Sequence, residues 1–241
     1  MLISCDASQL EFRVAVELSK DQVGLDEIRN KQDIHSLNQQ AFELPSRLIA
    51  KIYLFRTIFR GSGWAFANDP EFSHVSSSAK YWDGINEKFY RKYHGLNQWH
   101  MDNAQLVLSG RAIHGPLGRA WTINIPRTDQ GELKIPWTTL TNYPVQGTGA
   151  DIMKIARISF YKRIKKLGIP CLFITTVHDS IVVDAESKYL DIICKTFHAV
   201  FADLTRNIKA VFGYDWVVPL ECECKFGPDM KNMQKYVDKP A

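Results

Sequence analysis

The segment after Ser46 combines cationic and aromatic side chains at a fixed spacing. Arg47, Lys51, Phe55 and Phe59 recur every four residues. Each residue of a helix turns by about 100°, so a step of four drifts by only about 40° and the four side chains form one winding stripe. A triphosphate held by the two cations near the helix N-terminus would place its sugar and base near the rings. The same spacing fits an ordinary amphipathic helix with two solvated basic residues, and the stripe alone does not decide between these interpretations.

Two aspartates stand where predicted strands end. Asp6 follows a short apolar run at the start of the chain, and Asp179 lies at the polar tip between two β-rich runs, 171–177 and 181–184. Two carboxylates from separate strands can share a pair of Mg²⁺ ions about 3.5–4 Å apart, an arrangement that serves in-line phosphoryl transfer. A single aspartate at a strand end is more often a turn residue, so neither aspartate alone indicates a metal site.

The surrounding pattern predicts the elements that position these residues. We predict a first strand that runs into Asp6, a loop at 61–77, a short hairpin within 110–136, a hairpin at 171–184, a last strand at 216–224, and helices at 9–19, 33–44, 46–60, 79–93, 97–109, 146–167 and 187–211. Ser46 is a typical N-cap and Gly61 a typical stop signal, and we expect Gly95 to separate two of the helices. The predicted fold class is α+β, with a small sheet built from both ends of the sequence and a helical lobe inserted between its strands.

Composition excludes some classes of protein without choosing among the rest. The chain has 241 residues, 45% of them apolar, which is enough for one large domain or two lobes. Its net charge of +4 suits a polyanionic partner but also occurs in proteins that bind no nucleic acid. The apolar runs are too short for a membrane span, and the start lacks a signal-peptide pattern. We therefore expect no membrane association and a cytoplasmic location, in a host cytoplasm if the protein is viral.

The five cysteines give a separate prediction. Their odd number and the lack of a CxxC pair argue against a disulfide framework and against a structural zinc site. We expect free thiols, as is usual for a protein in a reducing compartment.

Several segments resemble the family A DNA polymerases, the bacterial DNA polymerase I type, and they occur in that family's order. Residues 6–13, Asp-Ala-Ser-Gln-Leu-Glu-Phe-Arg, resemble motif A, and the stripe that begins at Arg47 resembles motif B. Residues 177–180, Val-His-Asp-Ser, resemble motif C. Further matches are Asp33-Ile34-His35, Gly118-Arg119 and the run from Asn142 through Gln146-Gly147-Thr148 to Ala150-Asp151. Matches of this number in one order cover essentially the whole chain and favour the functional interpretation of the stripe and the aspartates.

The resemblance implies a polymerase palm-type antiparallel sheet with an inserted, mostly helical fingers lobe. Residues 1–30 would be palm, 31–136 the fingers lobe with the motif B helix at 47–60, and 137–241 palm again, with the motif C hairpin at 171–184 and a C-terminal strand. In relatives the thumb and any exonuclease domain precede motif A, and we expect both to be absent here. We therefore expect a second polypeptide to supply the thumb and the N-terminal palm; a compact variant that works alone is the alternative.

The resemblance also implies a DNA-directed DNA polymerase, a nucleotidyltransferase that adds deoxynucleotides to a primer 3′-hydroxyl. Its partners would be primer–template DNA and deoxynucleoside triphosphates, and its cofactors two Mg²⁺ ions. The implied metal ligands are Asp6, Asp179 and the backbone carbonyl of Ala7. The implied catalytic residues are Asp6, Asp179 and Lys51, with Lys51 as general acid. The implied nucleotide-binding residues are Gln9, Glu11, His35, Arg47, Lys51 and Phe55, and those that contact primer–template are Phe59, Asn142, Gln146 and His178.

Two positions depart from the family pattern. Ser180 stands where motif C usually has a second acid, so two aspartates alone would carry the metal charge. Phe59 stands where tyrosine is usual, which removes a hydroxyl that would tether Glu11. Because the resemblance places Glu11 beside the ribose 2′ position, we expect looser exclusion of ribonucleotides than in relatives.

Two alternative functions keep the same fold. A non-catalytic subunit that binds primer–template would be expected to lack Asp6, Asp179, Lys51 or Arg47, and all four are present. A single-subunit RNA polymerase shares the two-aspartate core, but Glu11 and Phe55 in their motif contexts favour DNA synthesis.

Overall fold

The strand that carries Asp6 is the middle strand of the larger of two sheets. The computed structural model describes residues 1–237, and the masked end contains none of the predicted site residues. The strands are β1 (Leu2–Ala7), β2 (Ile113–His114), β3 (Ala120–Trp121), β4 (Leu172–Val177), β5 (Ser180–Asp184), β6 (Cys222–Gly227) and β7 (Gln234–Lys235). The larger sheet has the order β4-β5-β1-β6-β7, so both ends of the sequence contribute to it, as predicted.

Helices make up most of the remaining described chain. They are α1 (Leu10–Ser19), α2 (Gln22–Arg29), α3 (Ile34–Ala41), α4 (Arg47–Thr57), α5 (Gly63–Ala67), α6 (Ala79–Lys92), α7 (His94–Leu108), α8 (Trp137–Lys166) and α9 (Leu190–Phe212), with a short 3₁₀ turn at Ser187–Tyr189. Helices together with an antiparallel sheet confirm the α+β class. Along the described residues, no helix is both long and apolar enough to span a bilayer.

The chain forms two compact units. The first, called here the sheet unit, contains Met1–Leu10 and the chain from Gly147 onward; the second, the helical unit, contains Glu11–Gln146. The limits of these two compact units differ from the limits of palm and fingers that the sequence predicts. The division into palm and fingers stays a prediction.

Strand register places the residues of the sheet unit. Strand β1 pairs antiparallel with β5 on one side and β6 on the other, so Asp6 lies opposite both Ser180 and Glu223. Ile3 and Cys5 are fully buried and Ser4 nearly so, as expected for a central strand that is covered on both faces. Beyond the half-buried Leu2 at its start, β1 becomes accessible again only at Asp6, near its C-terminal end.

Helix α4 shows why the predicted stripe is accessible. Its N-cap is Ser46, whose hydroxyl accepts a hydrogen bond from the Ile49 N–H at 3.2 Å, as the sequence predicts. The apolar face of α4 enters an aromatic core in which Tyr53, fully buried, stacks on Trp82 with ring centroids 6.1 Å apart. Burial of that face leaves the opposite face, with Arg47, exposed.

Three predicted boundaries are wrong for identifiable reasons. Helix α8 begins at Trp137 rather than at 146, so Pro144 lies inside it, where a proline usually argues against a helix. The strand predicted at 216–224 begins only at Cys222, as β6, and β7 follows it: Trp216, Val218 and Leu220 alternate and are buried, but no ladder forms before Cys222. The loop predicted at 61–77 contains the short helix α5.

Gly95 does not separate two helices, because it lies inside α7. A side chain at Gly95 would place its Cβ 2.8 Å from the Cα of Asp21, so the glycine permits a close approach. The buried Asp21 carboxylate caps α2 and also accepts hydrogen bonds from the N–H groups of Gly95, at 2.8 Å, and Leu96, at 3.2 Å. This contact ties α2, which the sequence analysis missed, to the start of α7.

His100 should make the helical unit sensitive to acid. It is fully buried, its Nδ1 accepts a hydrogen bond from Arg60 at 3.2 Å, and burial together with the Arg60 charge lowers its pKa to about 3. The unfolded chain binds a proton at this residue near pH 6.5 whereas the folded unit does not, so stability falls as the pH drops below about 6.5. Between pH 7 and pH 5 this residue should cost about 2 kcal/mol of unfolding free energy.

Denaturation at both pH values measures this effect. His100→Gln should be less stable than wild type at pH 7 but should lose less stability between pH 7 and pH 5, because the variant has no buried imidazole. Equal losses in the two proteins would show that His100 is not the acid-sensitive group.

Candidate functional site

The two predicted metal-binding aspartates lie close together in the sheet unit, one on a strand and one in the turn before the neighbouring strand. Asp6 in β1 lies opposite Ser180, and Asp179 directly precedes Ser180 in the turn between β4 and β5. The backbone N–H of Ala7 donates to the carbonyl of Asp179 at 2.9 Å, so the backbones that carry the two carboxylates are joined. Asp179 is exposed and Asp6 is half-buried. Both carboxylates are therefore positioned by backbone hydrogen bonds that do not use their side chains.

The turn that contains Asp179 gives a structural role to Ser180, the serine that stands where motif C usually has an acid. His178 adopts a left-handed conformation, with φ of 51°, in the two-residue turn between Val177 and Ser180. The Ser180 hydroxyl donates to the Val177 carbonyl at 3.0 Å and the residue is 9% exposed. Ser180 thus helps to close the hairpin, and its oxygen is engaged within the turn rather than presented with the carboxylates.

Lys225 is a member of this site that the sequence analysis missed. Its ammonium lies 3.4 Å from Asp6 Oδ2, and both side chains are partly exposed. Lys225 alternates along β6 with Cys224, so it shares a sheet face with Glu223 and with Asp6. Only the strand register, which joins the two ends of the chain, brings this lysine to the aspartate.

The oxygen donors of the sheet unit suit a hard divalent cation. Asp6, Asp179 and the carbonyl of Ala7 are the ligand types that Mg²⁺ and Mn²⁺ prefer. The Lys225 ammonium beside Asp6 shows that this position attracts positive charge. A divalent ion there would have to displace Lys225 or share the carboxylate with it.

Gln9 connects the aspartate strand to the next helix. It is half-buried and adopts a left-handed conformation, with φ of 51°, between the end of β1 and the start of α1. The N–H of Ser8 donates to the Glu221 carbonyl at 2.8 Å, which fixes the path of the chain just after Ala7.

The stripe on α4 is accessible along its length. Arg47 and Lys51 are exposed, and Phe55 and Phe59 are half-buried. The helix ends at Thr57, three residues earlier than predicted, so Phe59 lies in the turn that follows rather than on the helix itself. The structure thus keeps the two cations and Phe55 on one helical face, while the backbone of Phe59 leaves it.

Arg47 is held by an acidic partner. Its Nε and Nη2 donate to the two carboxylate oxygens of Asp33 at 2.8 and 3.0 Å, and these hydrogen bonds hold the Asp33 pKa well below its usual value. Asp33 is also the N-cap of α3 and accepts from the Ser36 N–H. These two hydrogen bonds to Asp33 orient the guanidinium and leave its other N–H donors for a further anion.

His35 lies beside this pair on α3. It is 4% exposed, its ring centroid is 6.1 Å from that of Phe55, and its Nδ1 has no hydrogen-bond partner among the described residues. Burial lowers the pKa of His35, and the charges of Arg47 and Lys51 lower it further against the opposing effect of Asp33. Near neutral pH the imidazole is therefore uncharged, so one ring nitrogen can donate a hydrogen bond and the other can accept one.

Glu11, the residue predicted to exclude ribonucleotides (called here the sugar gate), has a contact that the sequence analysis missed. Gln146 Nε2 donates to Glu11 Oε1 at 3.3 Å. Asn142 and Gln146 are four residues apart on α8, so their side chains share a face of that helix. Phe59 has no hydroxyl to offer Glu11, but the amide of Gln146 contacts the same carboxylate.

Known proteins resemble this chain over three quarters or more of its length. DNA polymerase I of Aquifex aeolicus is 28% identical over 195 residues, which cover 76% of this chain and 32% of that protein. The DNA polymerase of Bacillus phage SP01 is 23% identical, covering 82% of this chain and 22% of that protein. A solved structure, the POL domain of Pol1 from M. smegmatis in complex with DNA primer-template and dNTP, matches with a TM-score of 0.75 at 22% identity, over 94% of this chain and 39% of that one.

The chain spans a third or less of the length of these two polymerases. The likeness to the M. smegmatis domain shows the fold. The model of DNA polymerase family A matches residues 1–232. The chain belongs to DNA polymerase family A.

Proposed function

We propose that this chain is the nucleotidyl-transfer part of a template-directed DNA polymerase. The observation that carries the proposal is the joined pair of Asp6 and Asp179, with hard oxygen donors at the accessible end of β1 in a family A chain. A subunit that only binds DNA would have no need for two carboxylates that cost electrostatic repulsion next to a polyanion.

Asp6, Asp179 and the Ala7 carbonyl would hold two Mg²⁺ ions in this proposal. When bound, such ions lower the pKa of the primer 3′-hydroxyl and neutralise charge on the triphosphate. Reaction then joins the 3′-oxygen to the α-phosphorus and breaks the bond to pyrophosphate. Lys225 would balance the charge of Asp6 before the substrate arrives.

The helical unit would supply the grip on the nucleotide. Arg47, oriented by Asp33, and Lys51 would bind the phosphates, and His35 would add a neutral hydrogen bond. Lys51 would donate a proton to the leaving pyrophosphate. Phe55 would pack against the sugar, and Gln9, which lies in the sheet unit, would support the nucleotide or the primer.

Four residues are proposed to contact the primer–template: Phe59, Asn142, Gln146 and His178. Amide side chains such as those of Asn142 and Gln146 can bind minor-groove acceptors that all four base pairs share. Contacts of this type test the shape of a base pair without reading sequence.

Insertion of one nucleotide into a labelled primer–template tests the proposed function. The purified chain should add the templated deoxynucleotide in the presence of Mg²⁺ and should not act without a divalent ion. Binding of primer–template with no insertion would favour the non-catalytic subunit, and preferential use of ribonucleotides would favour an RNA polymerase.

We also propose that another polypeptide completes the sheet unit. Strand β4 is an edge strand that pairs only with β5 among the described strands. Leu172 and Ile174 on β4 are 67% and 52% exposed, an unusual density of apolar surface for an open edge. A cavity of about 770 Å³ next to this strand is lined in part by Tyr161, Ile164 and Leu172. A thumb and the N-terminal part of the palm would cover such a surface.

The affinity of the isolated chain for primer–template tests this second proposal. If another polypeptide supplies part of the binding surface, the contacts of this chain alone would be mostly to phosphates, so binding should be weak and should fall about tenfold to a hundredfold between 50 and 200 mM salt. Fluorescence anisotropy with a labelled duplex measures both. Tight binding that resists salt would show that the chain grips DNA without a partner.

The contact between Gln146 and Glu11 gives a prediction about sugar selection. Glu11→Ala should collapse the preference for deoxynucleotides. Gln146→Ala should lower that preference by about three- to tenfold, since one exposed hydrogen bond to a carboxylate is lost. Phe59→Tyr should raise the preference more strongly in the Gln146→Ala background than in wild type, because the new hydroxyl would replace a missing partner of Glu11.

The measurement is the ratio of kcat/KM for matched deoxy- and ribonucleotides. The double variant separates the two contacts, since additive effects of Phe59→Tyr and Gln146→Ala would mean that they do not act on the same carboxylate. If Glu11→Ala leaves this ratio unchanged, Glu11 does not exclude ribonucleotides.

A further inference from the structure

Three cysteines from the two ends of the chain converge in the sheet unit. The Sγ atoms of Cys5, Cys222 and Cys224 all lie within 4.8 Å of one another. Strand register is the cause: Cys5 of β1 lies directly opposite Cys224 of β6, and Cys222 lies two residues away on the same face of β6. Cys5 and Cys224 are buried and Cys222 is half-buried.

This spacing suits a thiolate metal centre. Zinc–sulfur bonds of about 2.3 Å in a tetrahedron place neighbouring sulfurs about 3.8 Å apart, so the three thiols would need to close by at most about 1 Å. Sulfur ligands select soft ions such as Zn²⁺ or Cu⁺ and disfavour Mg²⁺. The partial exposure of Cys222 gives an ion a route to the cluster.

The cluster is chemically separate from the carboxylates. Successive residues of a strand point to opposite faces, so Cys5 and Asp6 lie on opposite faces of β1. Helix α9 packs on β6 and β1 and carries a further buried cysteine, Cys194. Cys194 is not one of the thiols that lie within 4.8 Å of one another, so a fourth ligand would come from water.

We propose that Cys5, Cys222 and Cys224 form a binding site for one zinc ion. On binding, three S–H bonds break, three Zn–S bonds form, and the protons pass to solvent. The ion would cross-link β1 to β6 next to Ala7, since Ala7 lies opposite Cys222. Its proposed role is to fix the strand that carries Asp6. Sequence spacing gave no sign of this site because Cys5 and the other two cysteines are at opposite ends of the chain.

Titration of the reduced full chain with Cd²⁺, which replaces Zn²⁺ and gives a sulfur-to-metal absorption band, tests the site. One equivalent of Cd²⁺ should produce the band, excess Zn²⁺ should remove it, and excess Mg²⁺ should not. Cys222→Ser should weaken binding by about a hundredfold or more, because one of few strong ligands is lost. Cys171→Ser is the matched control and should bind like wild type, since Cys171 lies just before β4 and outside the cluster.

A second measurement uses the wild-type chain, so that the proposal can be tested even if Cys222→Ser folds poorly. Zinc should protect Cys222, the partly exposed thiol of the cluster, from alkylation in the wild-type chain and leave Cys171 reactive, as mass spectrometry of the peptides would show. The proposal is overturned if no band forms, if Cys222→Ser keeps the band at wild-type affinity, or if zinc leaves Cys222 as reactive as before. In that case the cysteines are small apolar residues of the core.

Discussion

Replacing Asp179 with alanine should abolish Mg²⁺-dependent nucleotide insertion while the hairpin of β4 and β5 stays folded. The side chain of Asp179 is exposed, and the hydrogen bond that joins its backbone to Ala7 uses the carbonyl, which alanine retains. If Asp179 binds metal ions as proposed, its loss should remove several kcal/mol of transition-state stabilisation, so kcat should fall by more than about 10³-fold. Position 180 cannot compensate for this loss, because it carries a serine instead of a third acid and the serine hydroxyl is hydrogen-bonded within the turn.

Single-turnover insertion, with circular dichroism as a check on folding, measures this effect. Asp179→Asn keeps the shape and removes the charge, and it should fail nearly as badly. Glu186→Ala is the control, because Glu186 is an exposed acid just beyond β5 whose ion pair among residues 1–237 is with the surface residue Lys188. Insertion by Asp179→Ala at close to the wild-type rate would mean that the metal ligands lie elsewhere.

The local features of this chain could be predicted from its sequence. A serine before a run of helix formers gave the N-cap at Ser46, and two β-rich runs around a polar tip gave the hairpin that carries Asp179. Apolar residues at the start of the chain gave β1, and the sheet built from both ends of the sequence follows from these strands. Each of these features is encoded within about ten neighbouring residues, where capping and strand patterns operate.

Features that depend on distant contacts could not be predicted in this way. Helix α2 is only eight residues long, and its cap, Asp21, is also bonded to N–H groups of α7. An isolated helix of that length is marginal in water, so tertiary contacts decide whether it forms. The start of α8 was misplaced for a related reason: packing in the helical unit tolerates Pro144, which local rules exclude from a helix.

The same limit applied to the candidate site. Asp6, Asp179, Arg47 and Lys51 were selected by residue type and motif, but their immediate partners were not. Lys225 reaches Asp6 through strand register, and Asp33 reaches Arg47 across two helices. These partners change the charge that each functional group presents. Arg47 is paired with the Asp33 carboxylate, whereas no ion pair to Lys51 is found within residues 1–237.

This contrast between Arg47 and Lys51 leads to the second large effect. Lys51→Ala should lower kcat by about 10²–10⁴-fold if Lys51 is the general acid for pyrophosphate. Lys51 is exposed one turn after Arg47, and the buried face of α4 lies on the other side of the helix, so its removal should leave the fold intact. Affinity for primer–template should change little. Lys80→Ala, an exposed lysine at the start of α6, is the control for loss of a surface charge.

A change of leaving group separates acid catalysis by Lys51 from simple attraction of phosphate. Halogens on a carbon that bridges the β and γ phosphorus atoms make the departing group less basic, so it needs a proton less. If Lys51 donates that proton, the defect of Lys51→Ala should shrink with such analogues, and Lys51→Arg, which keeps the charge but is a poor acid, should behave like Lys51→Ala. A defect that is equal for all leaving groups, or that Lys51→Arg repairs, would assign Lys51 to electrostatic binding of the triphosphate. A defect found only in duplex affinity would place it on DNA instead.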